Sequence, residues 1–64
     1  MWVVISITRD KAAAEKAKKV LDKEGVLVDL RPITKKKEAG TYEILVLESE
    51  ALEARDILSD CGII

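Results

Sequence analysis

The alternation of hydrophobic and polar residues along this chain predicts five elements in the order β-α-β-β-α. Three short runs, rich in β-branched residues or alternating between apolar and polar positions, predict strands at residues 2–7, 26–33 and 41–47. Two longer runs with apolar residues at three- and four-residue spacing predict helices at residues 10–24 and 50–61. This order of elements nearly determines the architecture.

Residues suited to capping stand at the predicted helix ends. Thr8 or Asp10 can cap the first helix and Ser49 the second, because a short side-chain oxygen accepts hydrogen bonds from free helix amides. Gly25 and Gly62 follow the two helices, where a left-handed backbone conformation favours glycine. These positions support the predicted bounds of both helices.

The order of elements predicts an α+β fold in a single domain spanning residues 1–64. A β-α-β crossover is right-handed and leaves its two strands parallel, so the third strand can lie between them. The sheet order is then 1-3-2, as in the split β-α-β or ferredoxin-like arrangement, with both helices on one face. The side chains expected to face the helices are Val3, Ile5, Ile7, Val26, Val28, Leu30, Tyr42, Ile44 and Val46.

The opposite face of the predicted sheet has no predicted helix to cover it. Its apolar side chains would lie exposed among Asp29, Arg31, Thr41 and Glu43. Exposed apolar patches often mark interfaces, although scattered apolar residues are also ordinary on the surface of a small protein. The candidate interface residues on this face are Trp2, Val4, Leu27, Leu45 and Leu47.

The first strand leaves one edge of the predicted sheet open. A complete ferredoxin-like unit has a fourth strand there, and no further strand-like run follows the second helix. The edge carries no charge to discourage another strand from pairing, so we expect a homodimer or another protein partner. The alternative is that Ile63, which can fold back after Gly62, and Ile64 cover part of the edge.

Composition narrows the range of partners. The chain is 48% hydrophobic and 36% charged, which is typical of a folded domain, and its net charge of −1 gives no overall attraction to nucleic acid or anionic lipid. The two aromatic residues, Trp2 and Tyr42, offer little surface for stacking bases. The N-terminal apolar run, residues 2–7, lacks the basic start and the small-residue cleavage site of a signal peptide, and no segment approaches the ~20 apolar residues that span a bilayer. We therefore expect a cytoplasmic protein with neither nucleic-acid nor membrane partners.

Cationic residues gather at one end of the predicted sheet. The loops after the first and second strands lie there, together with the N-terminus of the first helix and its free amides. This end could hold an anionic metabolite or a nucleotide, and the simpler alternative is a solvated loop. The candidate ligand-binding residues are Arg9, Lys11, Arg31, Lys35, Lys36 and Lys37.

The residues associated with catalysis and metal binding are sparse. The chain has no histidine, and its one cysteine can form neither an internal disulfide nor a zinc site of the usual Cys/His kind. Cys61 falls on the apolar face of the second predicted helix, which favours a buried structural thiol. We expect no catalytic residues, no cofactor and no metal.

Two stretches resemble a family of small bacterial proteins described as signal transducers. They are residues 42–58, YEILVLESEALEARDIL, and residues 12–30, in which the helix ends in Leu-x-x-Glu-Gly-Val. The resemblance covers most of the chain and implies a βαββα unit with a ferredoxin-like or PII-like fold. It supplies no catalytic residue, and similar short bacterial chains of unknown function sometimes carry a glutamate decarboxylase label.

The resemblance favours a role in regulation over catalysis. A pyridoxal-phosphate decarboxylase needs a cofactor pocket, a Schiff-base lysine and a much longer chain, so we expect no such activity. In PII-like regulators the loop between the second and third strands contacts ligands, whereas here it spans only residues 34–40. The sequence therefore predicts a non-enzymatic regulatory or protein-interaction module, with a sensor of anionic metabolites or nucleotides as the alternative.

Overall fold

A computed structural model describes residues 1–33 and 41–64 of the chain. The fold is α+β, and within these residues the strands form one sheet in the order β1-β3-β2, with β1 and β2 both antiparallel to β3. This confirms the predicted fold class and strand order. The elements are β1 (Trp2–Thr8), α1 (Lys11–Lys23), β2 (Val28–Pro32), β3 (Tyr42–Leu47), a 3-10 turn (Glu48–Glu50) and α2 (Ala51–Asp60).

The main core lies between the sheet and the two helices. Both helices pack on the same face of the sheet, where small alanines let the helices approach closely while larger aliphatic side chains fill the space. Val3 and Ile5 of β1 and Val28 and Leu30 of β2 pack around this core. Its buried members are Ala17, Leu21, Val26, Ile44, Val46, Ala54 and Leu58.

Helix α1 has the predicted ends. The Asp10 carboxylate accepts a hydrogen bond from the Ala13 amide at 2.7 Å, so Asp10 is the N-cap. Gly25 adopts a φ of +82°, the left-handed conformation expected after a helix. The chain then turns, and the Val26 amide donates to the Leu21 carbonyl at 3.0 Å. Strand β2 consequently begins at Val28, two residues later than predicted, although Val26 is buried in the core as expected.

Helix α2 begins differently from the prediction. The residues from Glu48 to Glu50 form a 3-10 turn, and no side chain caps the helix. The assignment of Ser49 as N-cap is therefore wrong. A long-range contact favours this turn, because the Glu48 amide donates to the Met1 carbonyl at 2.8 Å and ties the end of β3 to the start of β1.

The end of α2 also corrects one prediction. Cys61 is exposed, so the expectation of a buried thiol is wrong. The helix ends at Asp60, and Gly62, with a φ of +76°, turns the chain back over it. The Ile63 amide then donates to the Leu58 carbonyl at 2.9 Å, and the Ile63 side chain packs against the core, as predicted.

A β-bulge in β1 changes which side chains reach each face of the sheet. Val4 pairs with Leu45 and Ser6 pairs with Ile44, so Ile5 is an extra residue in β1. Beyond the bulge the alternation is shifted by one position. The prediction that Ile7 faces the helices is therefore wrong, since Ile7 pairs with Glu43 on the opposite face.

Candidate functional site: the open face of the sheet

The sheet face opposite the helices is the strongest candidate for a functional surface, and we call it the open face. No helix of the described residues packs on it, and the pairing of the strands arranges its side chains in three levels. In the first level Trp2 lies beside Leu47. In the second Leu45 lies between Val4 and Asp29, and in the third Glu43 lies between Ile7 and Arg31.

The β1 side of the open face is an exposed apolar row, formed by Trp2, Val4 and Ile7. Their exposed fractions are 45%, 42% and 57%, respectively. The sequence predicted the first two as interface residues and placed Ile7 on the helix-facing side. Three large apolar side chains in a row on one strand form a contiguous patch, which is the arrangement that most often marks an interface.

The other predicted interface residues differ in how accessible they are. Leu45 lies on the open face, but only 7% of it is exposed because β1 and β2 flank it on both sides. Leu47 is half-buried next to Trp2. Leu27 is 61% exposed and precedes β2. Leu45 and Leu47 thus form the floor next to the apolar row, and Leu27 is exposed just before β2 begins.

The β2 side of the open face is charged. The Arg31 guanidinium holds the Glu43 carboxylate through its Nε at 2.8 Å and through an Nη at 2.6 Å, bridging β2 and β3. Asp29 is exposed and makes no ion pair with any side chain in residues 1–33 and 41–64. The open face is therefore divided into an apolar half along β1 and a polar half along β2.

The bulge extends the apolar row at a local energetic cost. Beyond the bulge, Ile7 lies on the open face, while the adjacent Thr8 lies buried on the helix-facing side. The Thr8 hydroxyl has no hydrogen-bond partner among the described residues. Exposing an isoleucine and burying an unpaired hydroxyl are both unfavourable for folding. Bulges commonly re-aim a side chain at a functional surface, and this one adds Ile7 to the apolar row.

The structure describes only three of the six residues predicted to form the basic end of the sheet. Arg9 and Lys11 are exposed beside the N-terminus of α1, whereas Arg31 is held by Glu43 on the open face. Asp10 occupies the cap of α1 and places a carboxylate where an anion would bind, which weakens the case for an anion site there. Lys35, Lys36 and Lys37 lie outside the described residues.

Other surfaces show less organisation. A shallow groove of about 290 Å³ runs along α2, lined by Leu52, Arg55, Asp56, Ser59 and Ile64. Among the described residues no cluster of three or more cysteine and carboxylate side chains is placed to hold a metal ion. In the same part of the chain no helix has both the length and the apolar character needed to cross a membrane.

Comparison with known proteins gave no matching family model, no similar curated protein and no similar solved structure. The resemblance to small signal-transducing proteins therefore remains a prediction. The case for function rests on the geometry of the open face.

Proposed function

We propose that this protein is a non-enzymatic interaction module that binds a protein partner through the apolar half of its open face. The observation that carries this proposal is the exposure of Trp2, Val4 and Ile7 in one row on β1. A regulatory role would follow if the partner's activity depends on the contact.

The chemistry of the apolar row supports a protein partner. Tryptophan is the side chain most often found among the residues that dominate binding energy, because it buries a large area and loses little conformational freedom. Trp2 lies beside half-buried Leu47, and Val4 lies beside the nearly buried Leu45, so both exposed side chains rest on a fixed floor. The row is thus held in place before a partner arrives, which lowers the entropic cost of binding.

The polar half of the open face supports the same proposal. An apolar centre bordered by charged residues is the usual composition of a protein interface. Arg31 and Glu43 satisfy each other, while the exposed carboxylate of Asp29 has no ion-pair partner in the described residues. A cationic group at the edge of the partner would complement Asp29 and help to fix its orientation.

Site-specific crosslinking in cells tests this proposal. A photo-reactive amino acid is introduced at Val4 or Ile7, and in a matched control at Leu52, which is 78% exposed on α2. We expect a discrete crosslinked species from the open-face positions and none from Leu52. The mass of the species identifies the partner, which is then purified for binding measurements.

Binding by the purified partner provides the decisive comparison. We expect Ile7→Lys to weaken its affinity by about tenfold or more, because a charge must then be buried in an apolar contact. Leu52→Lys, which makes the same chemical change on α2, should leave the affinity nearly unchanged. Equal losses in the two variants, or crosslinks that form equally from Leu52, would refute an interface on the open face.

A further inference from the structure

The two edges of the sheet differ in how well they are protected against another strand. In the described part of the chain, β1 and β2 each pair only with β3, so each has one free edge. The β2 edge carries Asp29 and Arg31 and ends at Pro32, and both charges and proline discourage strand addition. The seven residues of β1, Trp2–Thr8, include neither a charged residue nor a proline.

We propose that the partner at the β1 edge is a second copy of this chain, paired antiparallel about a two-fold axis. The proposal rests on the proposed function and names its partner. In a two-fold pair, residues near the axis meet their own copies, so any charge there would meet a like charge. Self-pairing is therefore favoured where the centre of the edge is uncharged, as it is in β1, whereas an edge that binds a different protein gains from charges that complement it.

The bulge restricts the register of this pairing. It divides the β1 edge into two segments, Trp2–Val4 and Ser6–Thr8. Even-numbered residues lie on the open face in the first segment, and the odd-numbered residue does so in the second. An axis at Val3 pairs Trp2 of each copy with Val4 of the other. Both of these side chains belong to the open face, and Val3 of each copy meets Val3 of the other on the helix-facing side. The resulting contacts between an aromatic and a β-branched side chain occur twice and are among the favourable cross-strand pairs.

Edge pairing also enlarges the open face. Three strands of this length cover a flat footprint on the order of 300 Å², and a stable interface buries about 800 Å² on each partner. Pairing at β1 makes a continuous sheet of twice the width and places the apolar rows of the two copies next to each other. The dimer then has an open face on the order of 600 Å².

Sedimentation from micromolar to millimolar concentration tests the proposal with three matched variants. Val4→Lys places a new charge beside the proposed axis. Leu27→Lys makes the same change near the protected β2 edge, and Leu52→Lys makes it on α2. We expect the wild-type protein to dimerise reversibly. We expect Val4→Lys to weaken dimerisation by about tenfold or more, and the two control variants to dimerise like the wild-type protein.

Mixed-label NMR of the wild-type dimer tests the register without depending on the folding of any variant. Contacts between copies that join the Trp2 indole to the Val4 methyl groups would support the axis at Val3. A dimer weakened equally by Val4→Lys and Leu27→Lys would show stacking of faces, which overturns edge pairing but leaves the open face as the interface. A monomer at millimolar concentration would overturn the second copy as partner, while a crosslinked species of different mass would still support the proposed function.

Discussion

The two faces of the sheet are built from the same strands, yet their burial has different origins. On the helix-facing side, Ile44 and Val46 are fully buried because α1 and α2 cover them. On the open face, Leu45 is nearly buried without any covering layer, because the neighbouring strands flank it. The helices form a second layer over the helix-facing side, whereas on the open face only the central side chain, Leu45, is nearly buried. The exposed apolar row along β1 is what remains uncovered.

The largest expected effect is a difference in unfolding free energy between substitutions at two adjacent residues of β3, which lie on opposite faces of the sheet. We expect Ile44→Ala to lower the free energy of unfolding by about 2–5 kcal/mol, since it leaves a cavity beneath the helices. That is a large share of the stability of a domain of this size, about 3–10 kcal/mol. Leu45→Ala should cost less, about 1–2 kcal/mol, because the vacated space opens to solvent and little cavity term remains. Urea unfolding followed by circular dichroism measures both values at low protein concentration.

Equal losses from the two substitutions would contradict this comparison. They would mean that Leu45 lies beneath a covering layer in solution. A loss from Leu45→Ala that grows with protein concentration, while the loss from Ile44→Ala does not, would then identify a second copy as that layer.

A stabilising substitution tests the cost of the bulge. Thr8→Val replaces a buried hydroxyl that lacks a partner in the described residues with a methyl group of similar size. We expect the free energy of unfolding to rise by about 1 kcal/mol, because the desolvation penalty of the hydroxyl is removed. Thermal and urea unfolding measure the change. Thr41→Val, at a half-buried threonine next to β3, is the matched control and should alter stability little. A destabilised Thr8→Val variant would show that the hydroxyl has a partner in solution.

The smallest expected effect concerns the polar half of the open face. A double-mutant cycle with Arg31→Met and Glu43→Gln should give a coupling energy of about 0.5 kcal/mol, because the Arg31 side chain is 60% exposed and water screens the pair from that side. The coupling should decline as salt is added. Urea unfolding of the four proteins at low and high salt measures it. A coupling that is large and insensitive to salt would mean that this half of the face is also shielded from water.

The fold followed from the sequence because each element carried a consistent local signal. The helical spacing, the glycines at positions 25 and 62 and the cap at Asp10 all agree with the structure. The main uncertainty for such a pattern is the order of strands. Here the handedness of the crossover and the loop between β2 and β3 leave few alternatives, and the order β1-β3-β2 was predicted correctly.

The bulge could not be predicted, because β1 is apolar in both phases of its alternation. Val3 and Ile5 suit one face and Val4 suits the other, so a shift by one residue after Ile5 violates no hydrophobic pattern. Two of the three exposed side chains that matter for the proposed function, Trp2 and Val4, were therefore visible in the sequence. The contribution of Ile7 depends on a pairing register that only the structure shows.

The other errors arose where tertiary contacts replaced local preferences. The hydrogen bond between Glu48 and Met1 accompanies a 3-10 turn at the position where Ser49 would have capped a helix. Ile63 packs against the core above Leu58 after the turn at Gly62, while Cys61 remains exposed. Helical spacing alone does not determine whether Cys61 or Ile63 packs against the core.

The extra residue in β1 also bears on how this strand can change length during evolution. In an unbroken strand, deleting one residue transfers every later side chain to the wrong face, so such deletions are rarely tolerated. Here Ser6 pairs with Ile44 on the helix-facing side, and Ile5, the extra residue, packs against the core on the same side. Removal of Ser6 would leave a strand of strict alternation in which every remaining side chain keeps its face. The strand therefore contains one site where the loss of a residue leaves every other side chain on its present face, and a chain one residue shorter at this site would present the same surface.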